Sequence, residues 1–446
     1  MTPKPFPTQL IAALLLLTAS LPLAAQRVEE TDARFEIPVA DEGLPGAGPI
    51  RRYEWFRKLW KSKRSGWAEQ VKKDQNAVVF LGDSITQGWG ATMDGSFDRL
   101  KVANRGISGD TTRGMLIRLE EDVLSLNPRA VVLLMGTNDL EEQAEPETIA
   151  ANLKLIIAAL KEHSTEMPII LCKVFPSSET KRRPTEKIKQ INELYAAAVK
   201  GDPQVVVLET WALFADENGD AKKEEFPDLL HPNKAGYAKW AAALRPIFAT
   251  LGYLETEPDD FQVEPGFVSL FNGKDLTGWG FRATPAPKGK RNPAVARPIV
   301  EEAVAFDGQT ASSDGRYVAV NGRLVVTTPS EGRRIQQLWT TREFPNDFIL
   351  KLEFRATPYA DSGVFLRGPQ LQCRDYLLAG PYTDLKKYAP QEWNELVVTV
   401  KGTTAHCTCN GEVLDEALAV PAAGGIGLEG DRGQMEYRRI RIKQLP

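Results

Sequence analysis

Short blocks along the chain set side chains fit for nucleophilic chemistry at the ends of apolar runs. "VVFLGDSITQGWG" (Val78 to Gly90) passes straight from such a run into Gly-Asp-Ser, which puts the Ser84 hydroxyl just beyond a sheet edge. "FPDLLHPNKAGYAKW" (Phe226 to Trp240) carries Asp228 three residues before His231, ahead of an amphipathic helix. At that spacing a carboxylate can orient an imidazole and stabilise its charged form while the imidazole removes a serine proton. The chain has three histidines; His163 follows a helix on a polar stretch and His406 lies in the second half, so His231 is the candidate base. "NRGISGDTTRG" and "MGTND" contribute the Gly109 backbone N–H and the Asn138 amide, the donors a developing oxyanion needs. Taken singly, each block has an ordinary structural reading: Ser84 as a helix cap, "GISGDTT" as a turn and cap, "GTND" as an Asx turn, Asp228–His231 as a local pair. A histidine base has to be unprotonated to act, so activity is expected to rise through neutral pH.

The elements that must position these groups alternate. Over residues 51–254, apolar runs at 77–81, 102–104, 130–135, 168–174 and 205–209 are separated by helical patterns such as "TIAANLKLIIAALKEH". Strands that are apolar throughout and divided by helices imply a parallel sheet covered on both faces. The expected fold is α/β, a three-layer α/β/α flavodoxin-like domain whose ligands bind at the carboxyl ends of the strands. Residues 255–265, acidic and proline-containing, read as a linker. From 266 to 446 short alternating strands replace the helical period, with hairpin signals at Asn321-Gly322 and Asn410-Gly411, so an all-β jelly-roll sandwich is expected. The insertion "ATPAPKGKRNPAVARP" reads as an exposed loop.

Bulk properties bound the function. The 446 residues carry a net charge of -4, with 42% hydrophobic and 26% charged residues, an ordinary globular composition for two or three domains. No basic surface large enough for nucleic acid is implied; the run "RKLWKSKR" (Arg57 to Arg64) reads as a solvated helix face whose Leu59 and Trp60 pack on the α/β domain. Lys4, the apolar stretch after it and Ala24-Ala25 read as a signal peptide over residues 1–25, so an exported protein without stable membrane insertion is expected, periplasmic or extracellular. Residues 26–50 say little. The four cysteines do not form a disulfide framework; Cys407 and Cys409 share one strand face and are poorly placed to bridge each other, while Cys373 could pair with one of them. "DENGDA" (Asp216 to Ala221) fails as a calcium loop, with Ala221 at the sixth place and Pro227 at the twelfth. No metal and no cofactor is called for.

In order along the chain, "GDS", "SGD", "GTND" and "DLLHP" resemble the blocks of the SGNH (GDSL-type) hydrolase family over about residues 70–250. The resemblance implies a serine esterase in which Ser84 is the nucleophile, Asp228 and His231 are acid and base, and Ser84, Gly109 and Asn138 form the oxyanion hole. The blocks look most like the subgroup holding the platelet-activating-factor acetylhydrolase subunits and bacterial sugar-acetyl esterases. No Gly-x-Ser-x-Gly elbow occurs. Trp89, one turn past the serine, is a candidate substrate-binding residue, with core packing as the alternative.

The second half, with "FVSLFNGKDLTGW", "DFILKLEFRATPYADSGVFLRG" and "EWNELVVTVKG", resembles the 3-keto-disaccharide hydrolase domain, a concanavalin-like jelly roll. That family usually carries a Glu-x-Gln-x-x-Asp strand. Here "QLQCRD" puts Gln370 in place of the acid, and an amide cannot act as a general acid or base at neutral pH. Arg367, Gln372 and Asp375 remain candidates to hold a sugar, while Asn272, Trp279 and Trp393 read as core and turns. The expected activity is removal of acetyl or other short acyl groups from a carbohydrate or another small ester, the sandwich holding or processing the glycan. The alternatives are a 3-keto-glycoside hydrolase working through the C-terminal domain, or a lipid or phospholipid acylhydrolase.

Overall fold

A computed structural model describes residues 34–255, 259–284, 299–327 and 336–446. The expected signal peptide, most of the basic insertion and part of the linker lie outside the described residues. The five apolar runs become five parallel strands, β1 (Val78–Gly82), β2 (Val102–Gly106), β3 (Ala130–Leu134), β4 (Ile169–Cys172) and β5 (Val205–Leu208), in the order β2-β1-β3-β4-β5. The reason they read as apolar throughout is visible in β1. Val79 and Leu81 enter one buried cluster with helices 146–163 and 185–198, while Val78 and Phe80 enter another with helix 234–250. In this strand order the chain reverses direction between β1 and β3, which opens a crevice at their carboxyl ends.

Residues 34–50 belong to this α/β unit, although the sequence says little of them. Ile37 and Ile50 pack with Phe56, Trp60 and Ile107, and Ala47 exchanges two hydrogen bonds with the buried Asn152 side chain. The helix Glu54–Ala68 packs on the α/β unit through Phe56 and Trp60, and Arg64 is buried too, ion-paired with Asp122 at 3.0 Å and with Glu121. An apolar stripe three and four residues apart is what docks such a helix.

The second half is an antiparallel sandwich of two sheets among the described residues. One runs β17 (Glu412–Ala419), β16 (Thr404–Cys409), β15 (Asn394–Lys401), β12 (Phe348–Ala356), β19 (Met435–Gln444), β10 (Arg323–Val326), β9 (Tyr317–Val320), with β6 (Val268–Ser269) beside β19. The other runs β14 (Gln370–Arg374), β13 (Asp361–Leu366), β18 (Ile426–Arg432), β11 (Leu338–Thr340), β7 (Trp279–Phe281), β8 (Val304–Ala305). The two Asn-Gly pairs make the expected tight turns, with positive φ at Asn321, Gly322, Asn410 and Gly411. Trp279 is core, its indole N–H donating to the Leu270 carbonyl at 2.7 Å, and Asn272 closes an Asx turn. Trp393 lies under the guanidinium groups of Arg355 and Arg438. All four cysteines are free and buried.

The two halves meet at the C-terminal end of helix Lys234–Thr250. A helix end leaves its last carbonyls without partners. Here the β domain supplies them: Arg323 and Asn321 donate to the Ala249 carbonyl at 2.7 and 3.2 Å, and Gln434 donates to that of Pro246 at 3.1 Å. Glu436, fully buried, joins Arg355 at 2.6 Å and Arg323 at 3.3 Å. Glu255, the first residue of the expected linker, closes this network on both arginines.

Candidate active site

Strands β1, β2 and β3 end side by side, and each delivers one piece. After β1 the Asp83 side chain accepts the Ile85 N–H at 2.9 Å and so starts the short helix Ser84–Gly88, leaving Ser84 at its first turn. Gly106 at the end of β2 lies so close to this turn that a Cβ there would come within 2.3 Å of the Gln87 nitrogen. Gly109 has φ +87°, and a Cβ on it would meet Trp55 at 2.7 Å and Arg51 at 2.9 Å. Asn138 follows β3 in the helix Thr137–Glu141.

His231 arrives from the far end of the chain. Its Nε2 is 3.0 Å from the Ser84 hydroxyl, and its Nδ1 is 2.8 Å from the Asp228 carboxylate. Asp228 also accepts the backbone N–H groups of Leu230 at 3.1 Å and His231 at 2.7 Å. Partial burial pushes its pKa up, but these N–H groups and the imidazole outweigh it and bring the carboxyl to about 2. With Nδ1–H donated to Asp228, Nε2 is free to accept the serine proton.

Ser84, Gly109, Asn138, Asp228 and His231 line one cavity of about 410 Å³. The Asn138 amide is clamped: its Nδ2 donates to the Asp110 carbonyl at 2.9 Å, and its Oδ1 accepts from Arg183 at 3.0 Å. Arg183 is buried and also reaches Thr137 at 3.0 Å and Glu141 at 2.8 Å, while Glu141 and Glu142 bind Arg51. Arg51, Trp55, Lys181, Arg182 and Arg183 also line it and lie outside the four motif blocks. The run Lys181-Arg182-Arg183 was their visible signal; nothing local marks Arg51. Below the floor lie three buried carboxyls. Burial raises Asp83 to about 6, Asp110 to about 7 and Asp139 to about 6, with Arg118 at 2.8 Å restraining Asp110 and Thr112 restraining Asp139.

Three expected substrate-binding residues are corrected. Trp89 lines no part of this cavity; it is fully buried, stacked 4.5 Å from Trp240 and 5.4 Å from Tyr237, because its position on the short helix faces the core beneath β1. Arg367 is turned inward, donating to the carbonyls of Asn346, Gly402 and Pro421. Asp375 is fully buried and spends its oxygens on the Tyr359 N–H, the Tyr388 hydroxyl and Gln391. Gln372 does line a pocket, of about 190 Å³, with Gln370, Arg374, Asp361, Ser362, Glu429 and Asp431.

Comparison with known proteins matches these two regions separately. Residues 80–239 match the GDSL-like lipase/acylhydrolase family, and residues 266–443 match a 3-keto-alpha-glucoside-1,2-lyase-like domain. The human platelet-activating factor acetylhydrolase IB subunit alpha1 is 29% identical over 199 residues, 43% of this chain and 84% of that protein. The bovine subunit alpha2 is 28% identical over 210 residues, 46% of this chain and 88% of that protein. A solved GDSL-like lipase from Bacteroides thetaiotaomicron is 26% identical with a TM-score of 0.38, covering 44% of this chain and 97% of its own. The chain thus carries an SGNH-type, GDSL-like lipase/acylhydrolase domain over residues 80–239, followed by a 3-keto-alpha-glucoside-1,2-lyase-like domain over residues 266–443.

Proposed function

We propose that the chain is an exported serine esterase that removes acetyl or other short acyl groups from carbohydrates. The observation that carries the ester chemistry is the unbroken relay Ser84–His231–Asp228, with 3.0 and 2.8 Å between partners. In this reading the Ser84 oxygen attacks the ester carbonyl as His231 Nε2 takes its proton. The negative oxygen of the tetrahedral intermediate is held by the N–H groups of Ser84 and Gly109 and by the Asn138 amide. His231 then protonates the departing alcohol, leaving an acyl-serine. A water, deprotonated by the same imidazole, attacks the acyl carbon and releases the acid and free Ser84.

The lining supports a hydrophilic alcohol and a small acyl group. Most of it is charged or polar, with Trp55 and Leu230 the apolar members. That favours a sugar over a lipid, as does the attached lyase-like domain. Export is supported by the leader-like sequence of residues 1–25. A second reading, cleavage of 3-keto glycosides by the C-terminal domain, is favoured by the polar pocket around Gln370 and Gln372.

The test is hydrolysis of p-nitrophenyl acetate by the full chain, Ser84→Ala and His231→Ala, followed by release of acetate from acetylated oligosaccharides. Turnover is expected to fall by about 10³-fold or more in both variants. Retained turnover in Ser84→Ala would sink the esterase reading, and a preference for long-chain over acetyl esters would sink the carbohydrate one.

A further inference from the structure

The strand "QLQCRD" lacks the acid at position 370, yet the fold brings one to it. On the outward face of the six-stranded sheet, β13 pairs with β14 on one side and β18 on the other. Gly363 stands opposite both Gln372 and Glu429, and Phe365 opposite Gln370 and Gly427. With no side chain at Gly363, the Gln370 side chain folds across that position, where a Cβ would meet its nitrogen at 2.1 Å. There its amide nitrogen donates to the Glu429 carboxylate at 3.0 Å. Glu429 is 6% exposed, and with both glutamines it lines the cavity of about 190 Å³. Beside this row Trp339 packs flat over Gly427, close enough that a Cβ there would come within 2.9 Å of its ring, and stands 5.5 Å from Phe365. Amide and carboxylate groups converging on one small cavity are what bond the hydroxyls of a sugar ring.

We propose that Glu429 is the general acid–base residue of a second active site, taking the part that position 370 has lost. This rests on the second reading above, that the C-terminal domain acts on 3-keto glycosides. The keto group acidifies the hydrogen on C2. The Glu429 carboxylate removes that proton, and the C–H electron pair becomes a C1–C2 double bond. The bond from C1 to the glycosidic oxygen breaks, and the oxygen leaves with its electron pair and takes the proton back from the Glu429 acid. The products are an unsaturated keto sugar and an alcohol, and neither oxidant nor reductant is required. Gln370 holds the carboxylate in place, and the Gln372 amide is set to donate to the C3 oxygen as it gains charge.

The experiment uses the full chain carrying Ser84→Ala, so that ester hydrolysis is silent, and follows nitrophenolate release from p-nitrophenyl 3-keto-glucoside. Cleavage is expected, with a loss of at least 100-fold in Glu429→Gln. The exchanged pair, Gln370→Glu with Glu429→Gln, keeps one amide facing one carboxylate and is expected to recover at least 10-fold of that loss; near-ultraviolet circular dichroism checks that each variant is folded. No cleavage by the folded parent, or cleavage by Glu429→Gln within threefold of it, overturns the proposal. p-Nitrophenyl acetate hydrolysis by the chain with Ser84 intact reports on the ester reading alone, so the two readings fail separately.

Discussion

Arg183 is tied to Asn138, the oxyanion donor of the proposed mechanism. Its guanidinium fixes the Asn138 carbonyl oxygen, which leaves the amide nitrogen turned toward Asp110 and the cavity. Removing a single oxyanion donor commonly costs 10²–10³ in kcat, and misplacing one costs less. Arg183→Gln is therefore expected to lower kcat for p-nitrophenyl acetate by about 10- to 100-fold while KM moves less than about threefold; steady-state kinetics decides it. An equal change in KM would make Arg183 a substrate contact. For Asp228, a carboxyl held at about 2 stays ionised throughout the working range, so no limb of the pH–rate profile is expected from it. Asp228→Asn is expected to lose about 10³–10⁴ in kcat, because the amide no longer holds Nδ1 as the donor. That Ser84, Gly109, Asn138, Asp228 and His231 meet in one cavity was legible because each stands in a short turn at a strand or helix end. Trp89, Arg367 and Asp375 misled because a polar or aromatic side chain beside a site has no local mark telling inward from outward.

The strand-to-helix turn at 82–88 is the element on which the site stands, and it carries a buried cost. Asp83 is 1% exposed, one carboxylate oxygen caps the helix, and the other finds no partner among the described residues. Burial raises its pKa from 3.8 to about 6. A raised carboxyl means that the folded state holds its proton more tightly than the unfolded chain. Its contribution is therefore most favourable at low pH, declines as pH rises from about 4 to 6, and stays lowered above that. Asp83→Asn keeps a capping oxygen and removes the buried charge. It is expected to raise the melting temperature at pH 8, by an amount equivalent to on the order of 2 kcal/mol, with the gain disappearing near pH 4. Melting curves across that range check it; a gain independent of pH would place the cause elsewhere. The same reasoning about elements explains why the pairing of Gln370 with Glu429 was hidden. Gln370 and Glu429 are 59 residues apart and meet only because β13 pairs with both their strands.

Across the whole molecule, the contact between the domains includes a buried charge network. Glu436, Arg355, Arg323 and Glu255 close around the carboxyl end of helix 234–250, the helix that follows directly on His231. Removing one partner of a buried ion pair typically costs about 3–5 kcal/mol, since the remaining charge is left without compensation. Glu436→Ala, which leaves Arg323 and Arg355 with Glu255 as their remaining acidic partner, is expected to cost up to about that much and to split a single calorimetric transition into two. Ester hydrolysis well below the first transition is expected to stay within about twofold of the parent chain. An unsplit transition at the parent temperature would show that the domains are not coupled through this residue.

The sequence by itself determined the order of layers, the two domain types and the Ser84–His231–Asp228 constellation. Periodicity reports which faces are buried, and short turns bring their own functional atoms with them. Only the tertiary structure decided which side chains line the cavity, that residues 34–50 complete the α/β unit, and that Glu429 faces Gln370. These depend on strand order and register, on the packing of segments far apart in the chain, and on which side of a strand or helix meets the core. No local pattern of residues encodes any of them.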